Sequence, residues 1–167
     1  MASENELLGL LRQMPVFGGL SNTTLQIILN QTETVELPAD EHYFREGDQA
    51  KSLFVLNSGS VVIEKNWQGV PVELKRLGPG DCFGEMAIID LEVRSASVRT
   101  ITGCQAMEIT RVTLHQLFQK DTEQFAMIMM NMGREVSRRL RIAGERLFRY
   151  QQELGQHWFD EELVYDA

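Results

Sequence analysis

The sequence predicts a mainly β protein with flanking helices, and three observations carry that prediction. Short runs rich in β-branched and aromatic residues recur every 8–12 residues between positions 32 and 111, each closed by a glycine-bearing turn. The segment before them reads as helix around a proline–glycine break. The segment after them reads as helix again, with no proline from Thr122 to Leu154. A chain of 167 residues suffices for one domain with a helical extension.

At the N-terminus, ENELLGLLRQM is amphipathic, Pro15-Val16-Phe17-Gly18-Gly19 interrupts it, and Ser21 is placed to cap NTTLQIILNQ. The strands expected next are TETVEL, SLFVLN, SVVIEK, PVELKRL, SASVRTI and CQAMEIT. Between them stand Glu46-Gly47-Asp48, Ser58-Gly59, Gln68-Gly69, Gly78-Pro79-Gly80 and Thr102-Gly103. This rhythm suits an antiparallel sandwich or barrel with jelly-roll-like connections, not alternating βα units. A short helix is expected over 113–120 with Thr113 as its cap, followed by a long helix from Thr122 to Leu154.

In that long helix Ala126, Met129, Gly133, Val136, Leu140, Ala143, Leu147, Tyr150 and Leu154 alternate spacings of three and four, the signature of an apolar seam. A helix of about 30 residues is roughly 45 Å long, too long for a sandwich of this size to cover. A second copy of the chain is therefore the expected partner, giving a homodimer through the 122–154 helix. The other reading packs the whole stripe on the chain's own barrel. The Met127, Met129, Met130 and Met132 cluster reads as adaptable core. The resulting organisation is a 1–32 helical bundle, a 33–112 β module, 113–155 C-terminal helices and a 156–167 acidic tail, read as docked tail, partner motif or frayed end.

Composition narrows the function. A net charge of −8 argues against non-specific nucleic-acid binding. The charge is uneven: residues 134–149 hold six Arg against two Glu, whereas 150–167 hold five acids and no Lys or Arg. No apolar run approaches the roughly 20 residues of a membrane span, and the start has no signal-peptide pattern, so a cytoplasmic location is expected. Cys82 and Cys104 cannot make a disulfide scaffold, a cysteine-only zinc site or an iron–sulfur site. His42, His115 and His157 lie far apart, and neither a metal-binding pair nor a catalytic triad stands out. An enzyme is not expected.

Chemistry concentrates in GPGDCFGEMAIIDLEVRSASV, residues 78–98. Gly84 lets the backbone pass close to a ligand. Glu85 follows, then Met86-Ala87-Ile88, a short helical turn with N–H groups free for an anion. Arg94 comes nine residues after Glu85, at the start of a strand and beside Ser95. A carboxylate for sugar hydroxyls, with donor amides and a guanidinium for phosphate oxygens, would together hold a phosphorylated sugar. A plain Glu–Arg salt bridge is the alternative.

Phe83-Gly84-Glu85-Met86-Ala87-Ile88 followed by Arg94-Ser95-Ala96-Ser97-Val98 resembles the phosphate-binding cassette of the cyclic nucleotide-binding domain family. That family includes bacterial catabolite activator proteins and the regulatory subunits of cyclic-AMP-dependent protein kinase. Leu37 to Ile63 and the MPVFGGLS entry resemble the same family, so the similarity spans roughly residues 7–150. The resemblance implies an antiparallel β-roll, a double-stranded β-helix, with N-terminal helices and a long C-terminal helix. It implies that Glu85 accepts the ribose 2′-hydroxyl and that Gly84 allows close approach. The Met86 and Ala87 amides and Arg94 would hold the cyclic phosphate, with Ser95 and Ala96 beside it. The family's base-reading hydroxyls have no counterpart, since Ala143-Gly144 stand there, and Arg138, Arg139 or Arg141 are the candidates to meet the base.

The expected ligand is thus cyclic AMP, with cyclic GMP as the alternative. Fewer residues follow the long helix than a helix-turn-helix needs, so a stand-alone module without a DNA-binding domain is expected. Ligand would order the cassette and move Ile88, Ile89 and Leu91 against the hinge of the long helix, relaying occupancy to a protein partner. A nucleotide-independent dimerising scaffold and a truncated transcription regulator are the competing expectations.

Overall fold

Helix α1 (Glu4–Gln13), a 3-10 turn (Pro15–Phe17) and helix α2 (Asn22–Gln31) open the chain, as the amphipathic pattern and the proline predict. The computed structural model describes residues 4–154. Ser21 caps α2 as expected, its hydroxyl accepting from the Thr24 amide at 3.2 Å, a contact of a kind that contributes about 1 kcal/mol.

Eight strands follow: β1 (Glu33–Leu37), β2 (His42–Phe44), β3 (Ser52–Ser58), β4 (Val61–Trp67), β5 (Val70–Leu77), β6 (Cys82–Phe83), β7 (Ser97–Thr100) and β8 (Cys104–Thr110). They form two antiparallel four-stranded sheets, ordered β1-β8-β3-β6 and β2-β7-β4-β5. First pairs with last, and second with next-to-last, so the roll winds inward as the jelly-roll expectation requires. Strands β2 and β6 were not legible in the sequence, because three and two residues are too few to display alternation.

Strand β3 explains the layering. Its first five residues are all buried, because both faces are covered. Leu53 and Val55 join a core that includes Leu11, Phe17, Leu25, Ile28, Leu114, Leu117, Ile128 and Met132. Phe54 and Leu56 point the other way, into the roll, with Val61, Leu77, Phe83, Val98, Cys104 and Ala106. Alternate residues of one strand thus serve the helical layer and the roll interior. Gly59, at φ 86°, closes the β3–β4 turn, and a Cβ there would lie 2.4 Å from the Gly103 carbonyl oxygen.

Helix α3 (Met86–Ile89) interrupts the second half of the roll, and helices α4 (Arg111–Lys120) and α5 (Thr122–Leu154) complete the described chain. The cap of α4 corrects the expectation. Thr110, not Thr113, is the N-cap, and Thr113 supplies the amide that Thr110 Oγ1 accepts at 3.1 Å. The helix starts two residues earlier because Thr110 is also the last residue of β8.

The chain divides into two compact units, residues 1–132 and 133–167, with the boundary inside α5. In the first unit the buried residues of α5 are Ile128, Asn131 and Met132. Ala126 is exposed and Met129 half-buried, so in the opening turns of the helix the chain's own core does not take up the expected seam. The core selects the neighbouring helical stripe there, and Asn131 Nδ2 donates to the carbonyls of Val16 at 3.1 Å and Gly18 at 2.8 Å. In the second unit Leu140, Leu147 and Tyr150 are exposed, at 71%, 54% and 60%. The tail lies outside the described residues, as does the seam's Leu154 side chain.

Candidate functional site

The polar end of the roll interior is built by the same alternation that fills its apolar end. Ser52, Phe54 and Leu56 share one face of β3, and Phe54 lies opposite Glu108 of β8 in the ladder. Apolar partners fill the roll up to Phe54; beyond it the same face carries Ser52, whose hydroxyl donates to Glu108 Oε1 at 2.6 Å.

Arg94 enters this end. The sequence placed it at the start of a strand, but it lies in the loop before β7. Its amide donates to the Asp48 carbonyl at 2.9 Å, and its carbonyl accepts from the Gly47 amide at 2.8 Å. The glycine-bearing turn after β2 therefore fixes its backbone. The side chain is buried, 4% exposed. Nη1 donates to the Gly84 carbonyl at 2.9 Å and Nη2 to the Ser52 carbonyl at 2.7 Å. Nε has no hydrogen-bond partner. One face of the guanidinium lies over the Phe44 ring, its carbon 3.9 Å from the centroid.

The salt bridge weighed as an alternative is not what holds this guanidinium: among the described residues no carboxylate lies within 4.0 Å of it. Burial pushes its pKa below the usual arginine value; the fields of Asp48, Glu108 and Glu85 oppose that shift and Arg111 adds to it. Two carbonyls use two of the five guanidinium N–H groups, leaving Nε–H and one on each Nη. A buried cation with unused donors and no directly bonded acid suits an anion better than a structural ion pair.

Gly84 stands at φ 80°, and a Cβ there would lie 2.6 Å from Arg94 Nη1 and 3.2 Å from the Phe44 ring. Both backbone and space require glycine at this position. Glu85 follows, buried, its carbonyl accepting from the amides of Ile88 and Ile89. Met86, partly exposed, and Ala87, buried, open α3, at positions whose N–H groups have no acceptor inside the helix.

The structure thus brings Gly84, Glu85, Met86, Ala87 and Arg94 together. Ser95 is exposed and Ala96 buried immediately after Arg94. Arg138 and Arg139 belong to the second unit, where Arg138 pairs with Glu135 at 2.8 Å. The sequence missed Phe44, Ser52, Glu108 and Arg111. Phe44 carried only a weak signal: Tyr43 and Phe44 are adjacent aromatics, and no pattern said which would face Arg94. No three His, Cys, Asp or Glu among the described residues could hold a metal ion. None of the described helices is long and apolar enough to cross a membrane.

A roll with one polar end, a buried arginine and a glycine-opened turn is a ligand-binding module. The sequence pattern of the cyclic nucleotide-binding domain matches residues 34–121, more than half of the chain, and the chain belongs to that family. It is 29% identical over 129 residues to the cAMP-activated global transcriptional regulator CRP of Salmonella typhimurium, covering 76% of this chain and 60% of that protein. Over 101 residues it is 32% identical to the cAMP-dependent protein kinase regulatory subunit of Emericella nidulans, covering 60% of this chain and 24% of that one. The crystal structure of the Thermus thermophilus catabolite activator protein superposes with a TM-score of 0.71 at 27% identity, covering 82% of this chain and 63% of that one. The chain thus spans about three fifths of the length of the bacterial regulators it matches.

Proposed function

We propose that this chain is a cytoplasmic cyclic-nucleotide receptor, with cyclic AMP as its ligand and cyclic GMP as the nearest competitor. It homodimerises through its long helix and relays occupancy to a protein effector; it is neither an enzyme nor a binder of nucleic acid or membrane. The single observation that carries the ligand is Arg94, a buried guanidinium with a free Nε–H and carbonyl rather than carboxylate partners. Both relatives of known ligand described above are cAMP-dependent.

In this reading Arg94 and the amides of Met86 and Ala87 receive the cyclic phosphate, Glu85 accepts the ribose hydroxyl, and Gly84 keeps the approach clear. Ser95 and Ala96 flank the phosphate, and Arg138 and Arg139 are the residues toward the base. Ile88 and Leu91 carry the response, since both line an apolar groove with Leu114, Phe118, Phe125 and Met129 of α4 and α5. Dimerisation is supported by the exposed apolar side chains of Leu140, Leu147 and Tyr150.

Titration calorimetry with cyclic AMP and cyclic GMP on wild type and Arg94→Ala tests the reading. Saturable heat with cyclic AMP is expected, at least tenfold weaker in the variant because a charge-assisted contact is lost. Absence of heat with both nucleotides would favour the scaffold reading, and retention of duplex DNA would favour a transcription regulator.

A further inference from the structure

Two arginines hold the cassette, and only one of them belongs to the binding motif. Arg111, the first residue of α4, donates from its amide to the Lys51 carbonyl at 3.1 Å. Its Nη2 donates to the Ala87 carbonyl at 3.0 Å. Arg94 reaches the next carbonyl along, Ser52, at 2.7 Å, and the Gly84 carbonyl at 2.9 Å. The two residues, Arg94 by its side chain and Arg111 by its amide and side chain together, therefore tie adjacent residues at the entry of β3 to the two ends of residues 84–87.

Local backbone geometry explains why a side chain is needed at Ala87. The Asp90 amide takes the Met86 carbonyl, and Leu91 then turns away at φ 63°. Helix α3 has only four residues, too few to anchor itself, since an α-helix leaves its last four carbonyls without internal donors. Arg111 meets the first of those that Asp90 does not. A φ of 63° is strained for leucine and persists only where the surroundings hold it.

We propose that Arg111 is a positioning residue of the cassette: through the Ala87 carbonyl it fixes the orientation in which Glu85 and the Met86 and Ala87 amides meet the ligand. This rests on the cyclic-nucleotide reading above. Arg111 itself does not touch the ligand; Arg94 binds, and Arg111 holds the rest of the segment in register with it. The independent sign that this end of the roll takes a ligand is the buried, unpartnered Arg94 Nε.

The test compares wild type with Arg111→Met, which keeps length without a donor, and Arg111→Lys, which restores one. Cyclic AMP affinity is read by calorimetry, and amide hydrogen exchange is followed in the unliganded protein. The expectation is a Kd raised about tenfold in Arg111→Met, the scale of one charge-assisted hydrogen bond, with part of the loss recovered in Arg111→Lys. Exchange should accelerate at residues 88–91 and stay unchanged in β3 and β8. Wild-type affinity in Arg111→Met overturns the proposal, and so does faster exchange throughout the roll, which marks a merely structural role. Should wild type bind no nucleotide, the reading above falls on that result alone, while exchange at residues 88–91 still decides whether Arg111 holds the segment.

Discussion

The guanidinium of Arg94 rests on the ring of Phe44, 3.9 Å from carbon to centroid, although fifty residues separate them. The ring covers one face of the cation while the carbonyls bind at its edge, and it belongs to an aromatic cluster with Phe54 and Phe83. A desolvated cation over an aromatic face is stabilised by about 1–2 kcal/mol. Phe44→Leu is therefore expected to weaken cyclic AMP binding by about five- to thirtyfold. Calorimetry checks it; a variant that binds as wild type would remove Phe44 from the site.

Gly84→Ala asks more of the same place. Alanine at φ 80° costs about 1–2 kcal/mol in backbone strain, and its methyl would sit 2.6 Å from Arg94 Nη1. Arg94 must then leave the Gly84 carbonyl. Loss of binding beyond tenfold is expected with only a modest fall in Tm, read by calorimetry alongside a thermal melt. Unchanged affinity would mean that the guanidinium has room to move aside without losing the ligand.

Tyr43, facing the apolar end of the roll, gives a stability prediction in alkali. Burial, with a smaller contribution from the field of Cys104, pushes its phenol from 10.0 up to about 12. The unfolded chain loses this proton near pH 10, the folded chain only near 12. Below pH 10 both states keep it and the contribution is complete. Between 10 and 12 the unfolded state binds fewer protons, so stability falls as pH rises. Urea melts at pH 9, 10 and 11 should show a steeper decline for wild type than for Tyr43→Phe; parallel curves would count against a shifted phenol.

The exposed stripe of α5 predicts its own partner. Leu140→Asp with Leu147→Asp places charge on an apolar seam spaced at one heptad. Light scattering behind size exclusion should report a dimer for wild type and a monomer for the double variant, with nucleotide still bound. A wild-type monomer would leave the stripe for some other protein.

How much of this was legible depends on periodicity. The strands with five or more residues stood out because alternation or a continuous apolar run had room to appear. Residues 42–44 and 82–83 had no such room. The segment holding Gly84, Glu85 and Arg94 was legible as a motif, since these residues are contiguous enough to recognise. Its support was not: the pairing of β3 with β8 gathers Ser52, Glu108 and Arg111, whereas Phe44 comes from β2 in the other sheet. The stripe that packs on the chain's own core in the first turns of the long helix was not legible: Ile128 and Met132 are buried there, not Ala126 and Met129. There the choice of buried stripe is made by the α1–α2 layer, which local spacing cannot report.

The clasp of Asn131 on the carbonyls of Val16 and Gly18 has a consequence for biogenesis. Its two halves leave the ribosome more than a hundred codons apart, and the β1–β8 ladder joins residues that are also distant in the chain, from Glu33 with Glu108 to Leu37 with Cys104. Nascent N-terminal helices must wait, their apolar faces uncovered, until translation has nearly finished the first unit. Folding of this protein is expected to be late and concerted, and the waiting stretch is where a chaperone would be recruited.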